Sequence, residues 1–164
     1  MSWTEVQNLG VKAASGAGVP PAQALAFGAM VARHVADDGP QGPVAAALSA
    51  PDTIVGLAHK VETIVEAASM SSKPVRVGED DAGTRAMLVS WISGLPCKSE
   101  LEVAGAKLRI VLSLTEPSTR GRPDRLHLEP SLAAQMTDLA AKTYVPDSDA
   151  SRAGGAGAGL MELD

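Results

Sequence analysis

Hydrophobic positions recur at steps of three and four up to about residue 70 and alternate every second residue after it. Ser2 and Glu5 stand at capping-box spacing, and Val6, Leu9 and Ala13 then share one helical face until Gly16-Ala17-Gly18. Pro20 and Pro21 suit the first turn of a second helix running through Leu25, Ala29, Ala32 and Val35 to Gly39-Pro40. A short helix is predicted over Pro43 to Leu48. Asp52 is placed to cap a longer one, on which Ile54, Leu57, Val61, Ile64 and Ala68 form the apolar stripe and His59, Glu62 and Glu66 the wet side.

Beyond Ser69, Val75 and Val77 flank Arg76 in a short strand, and Gly78 to Gly83 reads as an acidic turn. Ala86 to Ile92 fits a buried strand or a helix; Val89, Trp91 and Ile92 favour strand. Leu101–Val103 and Leu108–Leu114 flank a hairpin connection, Ala104 to Lys107, with Leu108, Ile110, Leu112 and Leu114 on one side. Leu126 to Leu128 is a further short strand. Pro130-Ser131 opens a last helix, with Leu132, Met136 and Leu139 on one face, that closes before Pro146.

This order predicts an α+β fold, with N-terminal helices packed on a mainly antiparallel sheet, a C-terminal helix and an ordered Gly/Ala-rich tail. One domain is expected over residues 1–164, with a helical layer at about 2–69, a strand-rich layer at about 73–129, and helix and tail at 130–164. Either half alone would make a thin core.

Composition sharpens this picture. Apolar residues make up 45% of the chain but aromatics only 2%, so the core is built from small aliphatic side chains in close helix packing. A net charge of −5 and a pI near 5.2 argue against nucleic-acid binding. The densest basic run, Arg120, Arg122 and Arg125 around Asp124, reads as a solvated loop before it reads as an anion site. Cys97, the single cysteine, excludes an intramolecular disulfide and a cysteine-rich zinc site. The opening residues lack signal-peptide character, and no apolar run is long enough to span a membrane, so a cytoplasmic protein is expected.

The segment Lys12 to Gly18, Lys-Ala-Ala-Ser-Gly-Ala-Gly, and the C-terminal Thr143-Tyr144-Val145-Pro146, Ser151-Arg152 and Gly155-Ala156-Gly157-Ala158-Gly159 together resemble a bacterial domain-of-unknown-function family. The matching motifs cover about a fifth of the chain. The resemblance implies no activity, cofactor or catalytic residue. A fainter likeness, through Ala17-Gly18-Val19-Pro20 and Asp37-Asp38-Gly39, is to the malate and lactate dehydrogenases without a Rossmann fold. That family's Ser-His-Gly is replaced here by Gly39-Pro40-Gln41, and the chain is about half the required length, so the likeness is one of helix grammar.

Residues able to carry chemistry are sparse. His34, Asp37 and Asp38 share a helix flank, but spacing supplies no further ligand, so no metal is expected; the plainer reading is a histidine near the helix dipole and two carboxylates. Cys97 could be a nucleophile only if the fold brought a partner such as His127; a small buried hydrophobe is the commoner role. Gly154-x-x-Gly157-x-Gly159 lacks the strand and helix that a phosphate-binding loop needs, and no cofactor is expected. Tyr144, Ser151 and Arg152 stand beside the Gly/Ala tail. They either pack and pin that tail or, with it, bind a small anionic ligand.

Two functions follow as expectations. The first is a small non-catalytic binding or accessory subunit, self-associating as a homo-oligomer, or with a protein partner, through its Ala/Gly-rich second helix and its tail. The alternative is a small enzyme, or enzyme subunit, acting on an acidic metabolite. There Arg152 would anchor the substrate, Tyr144 or His34 would donate a proton, and the tail would close over the site.

Overall fold

Capping, small-residue contacts and one buried apolar cluster organise the fold, seen in a computed structural model that describes residues 1–71 and 73–143. Helix α1 (Trp3–Gly16) starts on a complete capping box: the Ser2 side chain accepts from the Glu5 N–H, and the Glu5 carboxylate accepts from the Ser2 N–H. It ends in a Schellman turn: Val19 N–H bonds to the Ala14 carbonyl and Gly18 N–H to the Ser15 carbonyl, with Gly18 at φ +95°. The Lys12–Gly18 motif is therefore the last turn and stop of this helix.

Helix α2 (Pro21–Ala36) returns antiparallel to α1, and their backbones touch where Gly10 faces Gly28. A Cβ on Gly28 would lie 2.6 Å from the Gln7 carbonyl oxygen and 2.8 Å from the Val11 nitrogen. The small-residue face of α2 thus receives α1 of the same chain. Helix α2 also ends in a Schellman turn, with Asp38 in the left-handed position at φ 53° and Gly39 N–H bonded to the His34 carbonyl.

Helices α3 (Gln41–Ser49) and α4 (Pro51–Met70) follow. Asp52 is not the cap of α4: Pro51 already occupies the first turn behind Ala50, and Asp52 sits beside the positive helix end. Strand β1 (Val75–Gly78) leads into helix α5 (Ala82–Ser93), then β2 (Cys97–Ala104), β3 (Lys107–Pro117) and helix α6 (Pro130–Ala141). The sheet is antiparallel in the order β1-β3-β2, and Ala104 pairs with Lys107 across the expected hairpin turn. Together these elements make the α+β class, among the described residues.

Two expectations are corrected. Residues 86–92 are helix, not strand: the Asp81 carboxylate caps Thr84 N–H at 2.6 Å, and the helix is then buried nearly all round, which erases its period. Residues 126–128 form no strand. Leu126 and Leu128 are buried, but the backbone there is partnered by Met1 and by the Gln41 amide, which donates to the His127 carbonyl and accepts from Glu129 N–H. A side chain takes the place of a strand neighbour.

The core cluster joins Val6, Phe27, Met30, Ile54, Ile64, Leu88, Ile92, Leu108, Ile110, Leu132 and Met136, so it draws on both halves of the sequence. Phe27 and Trp91 meet edge-on at 6.3 Å within it. On β3, Leu108 and Ile110 are buried, Leu112 is partly so, and Leu114 lies at 42% exposure, beyond the cover of the helices. The expected ordered tail falls in residues 144–164, outside the described residues.

Candidate functional site

A cleft of about 380 Å³ opens where the start of α1, the end of α2, the end of α5 and residues 118–122 meet. Its walls include Trp3, Arg33, Ser93, Arg120 and Arg122. Arg33 lies in the last turn of α2, inside the run Val31 to Val35, every residue of which is buried. Its guanidinium is fully directed: Nε donates to Asp37 Oδ2 at 3.0 Å, Nη2 to Asp37 Oδ1 at 2.6 Å, and Nη1 to the Gly121 carbonyl at 2.9 Å. The third of these bonds ties the 118–122 segment to α2.

Arg120 Nη1 lies 3.6 Å from the same Asp37 Oδ2 that Arg33 Nε bonds. Arg33 and Arg122 each place a guanidinium carbon over the Trp3 ring, at 5.4 and 5.3 Å from its centre. The indole N–H donates to the Gln7 side chain at 3.1 Å, which fixes the ring beside the two cations. Ser93 ends α5, is 2% exposed, and its Oγ is a buried polar side-chain atom without a hydrogen-bond partner among the described residues. Such an atom costs about 1–3 kcal/mol when left unmatched, so it marks a place that a ligand oxygen can satisfy.

A second cavity, of about 490 Å³, shares Ser93 and Arg120 as walls and continues between α5 and the edge strand β2. Ala82, Ala86, Val89, Leu101 and Val103 give it an apolar stretch. Arg85 lines it too, but its Nη1 is committed to the Glu79 and Asp80 carbonyls at 2.7 and 3.2 Å.

His34 also lies in this wall, fully buried. Its Nε2 donates to the Pro40 carbonyl at 2.9 Å, since a carbonyl only accepts, and its Nδ1 meets Ser90 Oγ at 2.8 Å. A Cβ on Gly39 would overlap the imidazole, so the ring is packed against bare backbone. The expected arrangement of His34 with the two carboxylates is therefore corrected: the ring turns into the core, and Asp37 serves the arginines instead.

Tyr144, Ser151 and Arg152 lie outside the described residues. Cys97 is buried at the start of β2, and His127 is exposed on the 118–129 segment, each without a hydrogen bond to the other's side chain. Among the described residues no cluster of three or more His, Cys, Asp or Glu side chains could hold a metal, and no helix is long and apolar enough to cross a membrane. Trp3, Arg33 and Ser93 carried no spacing signal; the one hint was an arginine inside the apolar run of α2. Arg120 and Arg122 lie on an exposed loop, as expected, and that loop also borders the cleft.

No family model matches this sequence, and the searches of curated proteins and of solved structures likewise return no match. The functional reading therefore rests on the chemistry of the cleft.

Proposed function

We propose that this protein binds a small organic anion without transforming it, as a binding or accessory subunit. The observation that carries this reading is the buried, unpartnered Ser93 Oγ in a wall shared with Arg33, Arg120 and Arg122. Guanidinium groups and a hydroxyl donor are the groups that recognise anionic oxygens. Arg33 is held by three hydrogen bonds and acts as the frame. Arg120, in a 3.6 Å ion pair with Asp37, and Arg122, over the Trp3 ring, are the less constrained cations that would turn towards a ligand. Self-association remains part of the proposal, supported by the exposed apolar side chains Leu25, Met70, Val103 and Leu114.

Native mass spectrometry of protein isolated gently from its source tests this. A mass above the 16.7 kDa chain by a few hundred daltons, absent from the Arg120→Ala/Arg122→Ala double variant, is expected. A bare chain whose melting temperature responds to no carboxylate, phosphate or sulfate at millimolar concentration would overturn it.

One observation favours the enzyme alternative: the 2.8 Å contact of His34 Nδ1 with Ser90 Oγ has the spacing of a base and a nucleophile. Ser90 stands inside α5, however, where backbone N–H groups are spent on helix bonds, and its Oγ also lies 3.1 Å from the Ala86 carbonyl. Turnover of an ester or amide that disappears in a folded Ser90→Ala variant would reverse the order of the two readings.

A further inference from the structure

We infer that the anion is a monocarboxylate carrying an apolar chain, its carboxylate held by Arg120, Arg122 and Ser93 and its chain lying along Ala86, Val89, Leu101 and Val103. This inference rests on the anion-binding reading above and names the ligand class for the same cleft.

The head group follows from charge. Three guanidinium groups line the first cavity, and one carboxylate, Asp37, bonds to two of them. The C-terminal ends of α2 and α5 also converge there, through Arg33 and Asp37 on one side and Ser93 and Gly94 on the other. Each helix end carries about half a negative charge. The remaining balance is close to one positive charge, which a carboxylate neutralises and a phosphate dianion overshoots. Helix α1 begins at this cavity with Trp3, but its positive end is already met by the Glu5 carboxylate of its capping box, so it offers a phosphate less than an uncapped helix N-terminus would.

The chain follows from the second cavity. It begins at the same Ser93 and Arg120, and its cationic side chain, Arg85, has its Nη1 on backbone carbonyls. The polar groups Ser90, His34 and Asp37 in its wall are engaged with one another, with backbone or with Arg33, and the rest of the lining between α5 and β2 is aliphatic. Val103, 53% exposed at the edge of the sheet, lines this cavity together with Leu101. Cavities of this size suit a ligand with a short aliphatic chain.

Isothermal titration of the whole chain with acetate, hexanoate and decanoate, with hexyl phosphate, hexanol and adipate as companions, decides the matter. Affinity is expected to rise along the carboxylates by about fourfold per added CH₂, the transfer value of a methylene. Hexanol is expected to bind at least tenfold more weakly than hexanoate, as is hexanoate to the Arg122→Gln variant. The Val103→Ser variant, altered at an exposed position, is expected to weaken the dependence on chain length.

Acetate and phosphate binding without any chain-length dependence would overturn this inference and leave the anion-binding reading standing. Tighter binding of hexyl phosphate or of adipate than of hexanoate would overturn the monocarboxylate assignment. Hexanol binding as well as hexanoate would remove the role of the arginines, and silence from every probe would sink both readings.

Discussion

At Gly10 and Gly28 the backbones of α1 and α2 come into contact, whereas about 10 Å further along the same antiparallel pair Trp3 and Arg33 border an open cleft. The first place is closed because neither residue has a side chain to keep the helices apart. The second stays open because its side chains are long and already bonded: Arg33 to Asp37 and Gly121, Trp3 to Gln7. A seam without side chains has no room for a ligand and no tolerance for added atoms. A gap framed by anchored cations tolerates change in its lining and depends on the frame.

The hardest blow to the closed end is Gly28→Val. Its side chain would meet backbone atoms of Gln7 and Val11 that cannot turn aside, so a loss of about 3 kcal/mol is expected. Thermal unfolding should show this as a fall of roughly 10 °C. If the melting temperature stays put, the contact between the two backbones is looser than described.

At the open end, Arg33→Ala removes three hydrogen bonds, one of them the tie to Gly121. Asp37 is about one-third exposed and can be rehydrated, so the expected cost is smaller, about 2 kcal/mol. The telling sign is local: protease cleavage should appear within residues 118–125 while the helices stay protected. Uniform destabilisation without such cleavage would mean that Arg33 does not frame the cleft.

The two helix ends allow a gentler comparison. Both α1 and α2 stop in Schellman turns, but α1 has Gly18 in the left-handed position and α2 has Asp38. Asp38→Gly should therefore stabilise the protein by about 0.5 kcal/mol, measurable by urea unfolding, whereas Gly18→Ala should destabilise it. An Asp38→Gly variant that is weaker than the parent would show that the Asp38 carboxylate has a partner of its own.

The smallest effect concerns pH. The hydrogen bonds from Ser2 hold the Glu5 carboxyl below its ordinary 4.5, and those from Thr84 hold Asp81 below its ordinary 3.8. A depressed folded-state pKa stabilises above the unfolded value, and that contribution is lost as pH falls through the folded value. Both groups are fully exposed, so melts between pH 5 and pH 3 should decline only gently. Glu5→Gln combined with Asp81→Asn should flatten that decline; an unchanged slope would exclude the two caps as its source.

Sequence reading succeeded where the cause is local. The capping box of Ser2 and Glu5, the stop at Gly18 and the alternation of Leu108 and Ile110 each depend on neighbours a few residues away. It failed at α5 because Met87 to Ser93 is buried on nearly every side, and a helix without a wet face shows no period. The cleft was illegible for a different reason. Residues 3, 33, 93–96 and 118–122 are brought together only by the packing of α1, α2 and α5, and no spacing rule connects them. Arg120 and Arg122 were visible as charge, but what turns a charged loop into a cleft wall is Arg33, 88 positions before the Gly121 carbonyl it holds.

That separation has a kinetic meaning. The 118–129 segment is fastened by bonds spanning 125 residues to Met1, 88 to Arg33, and 86 and 88 to Gln41, while its own backbone forms no helix or ladder. Chain entropy opposes such long closures until the surfaces they join already exist. The segment is accordingly expected to dock after the surfaces of α1, α2 and α3 are in place, which pulse-labelled hydrogen exchange would show as late protection of residues 118–129. Its amides are then the first to exchange with solvent when the native protein breathes.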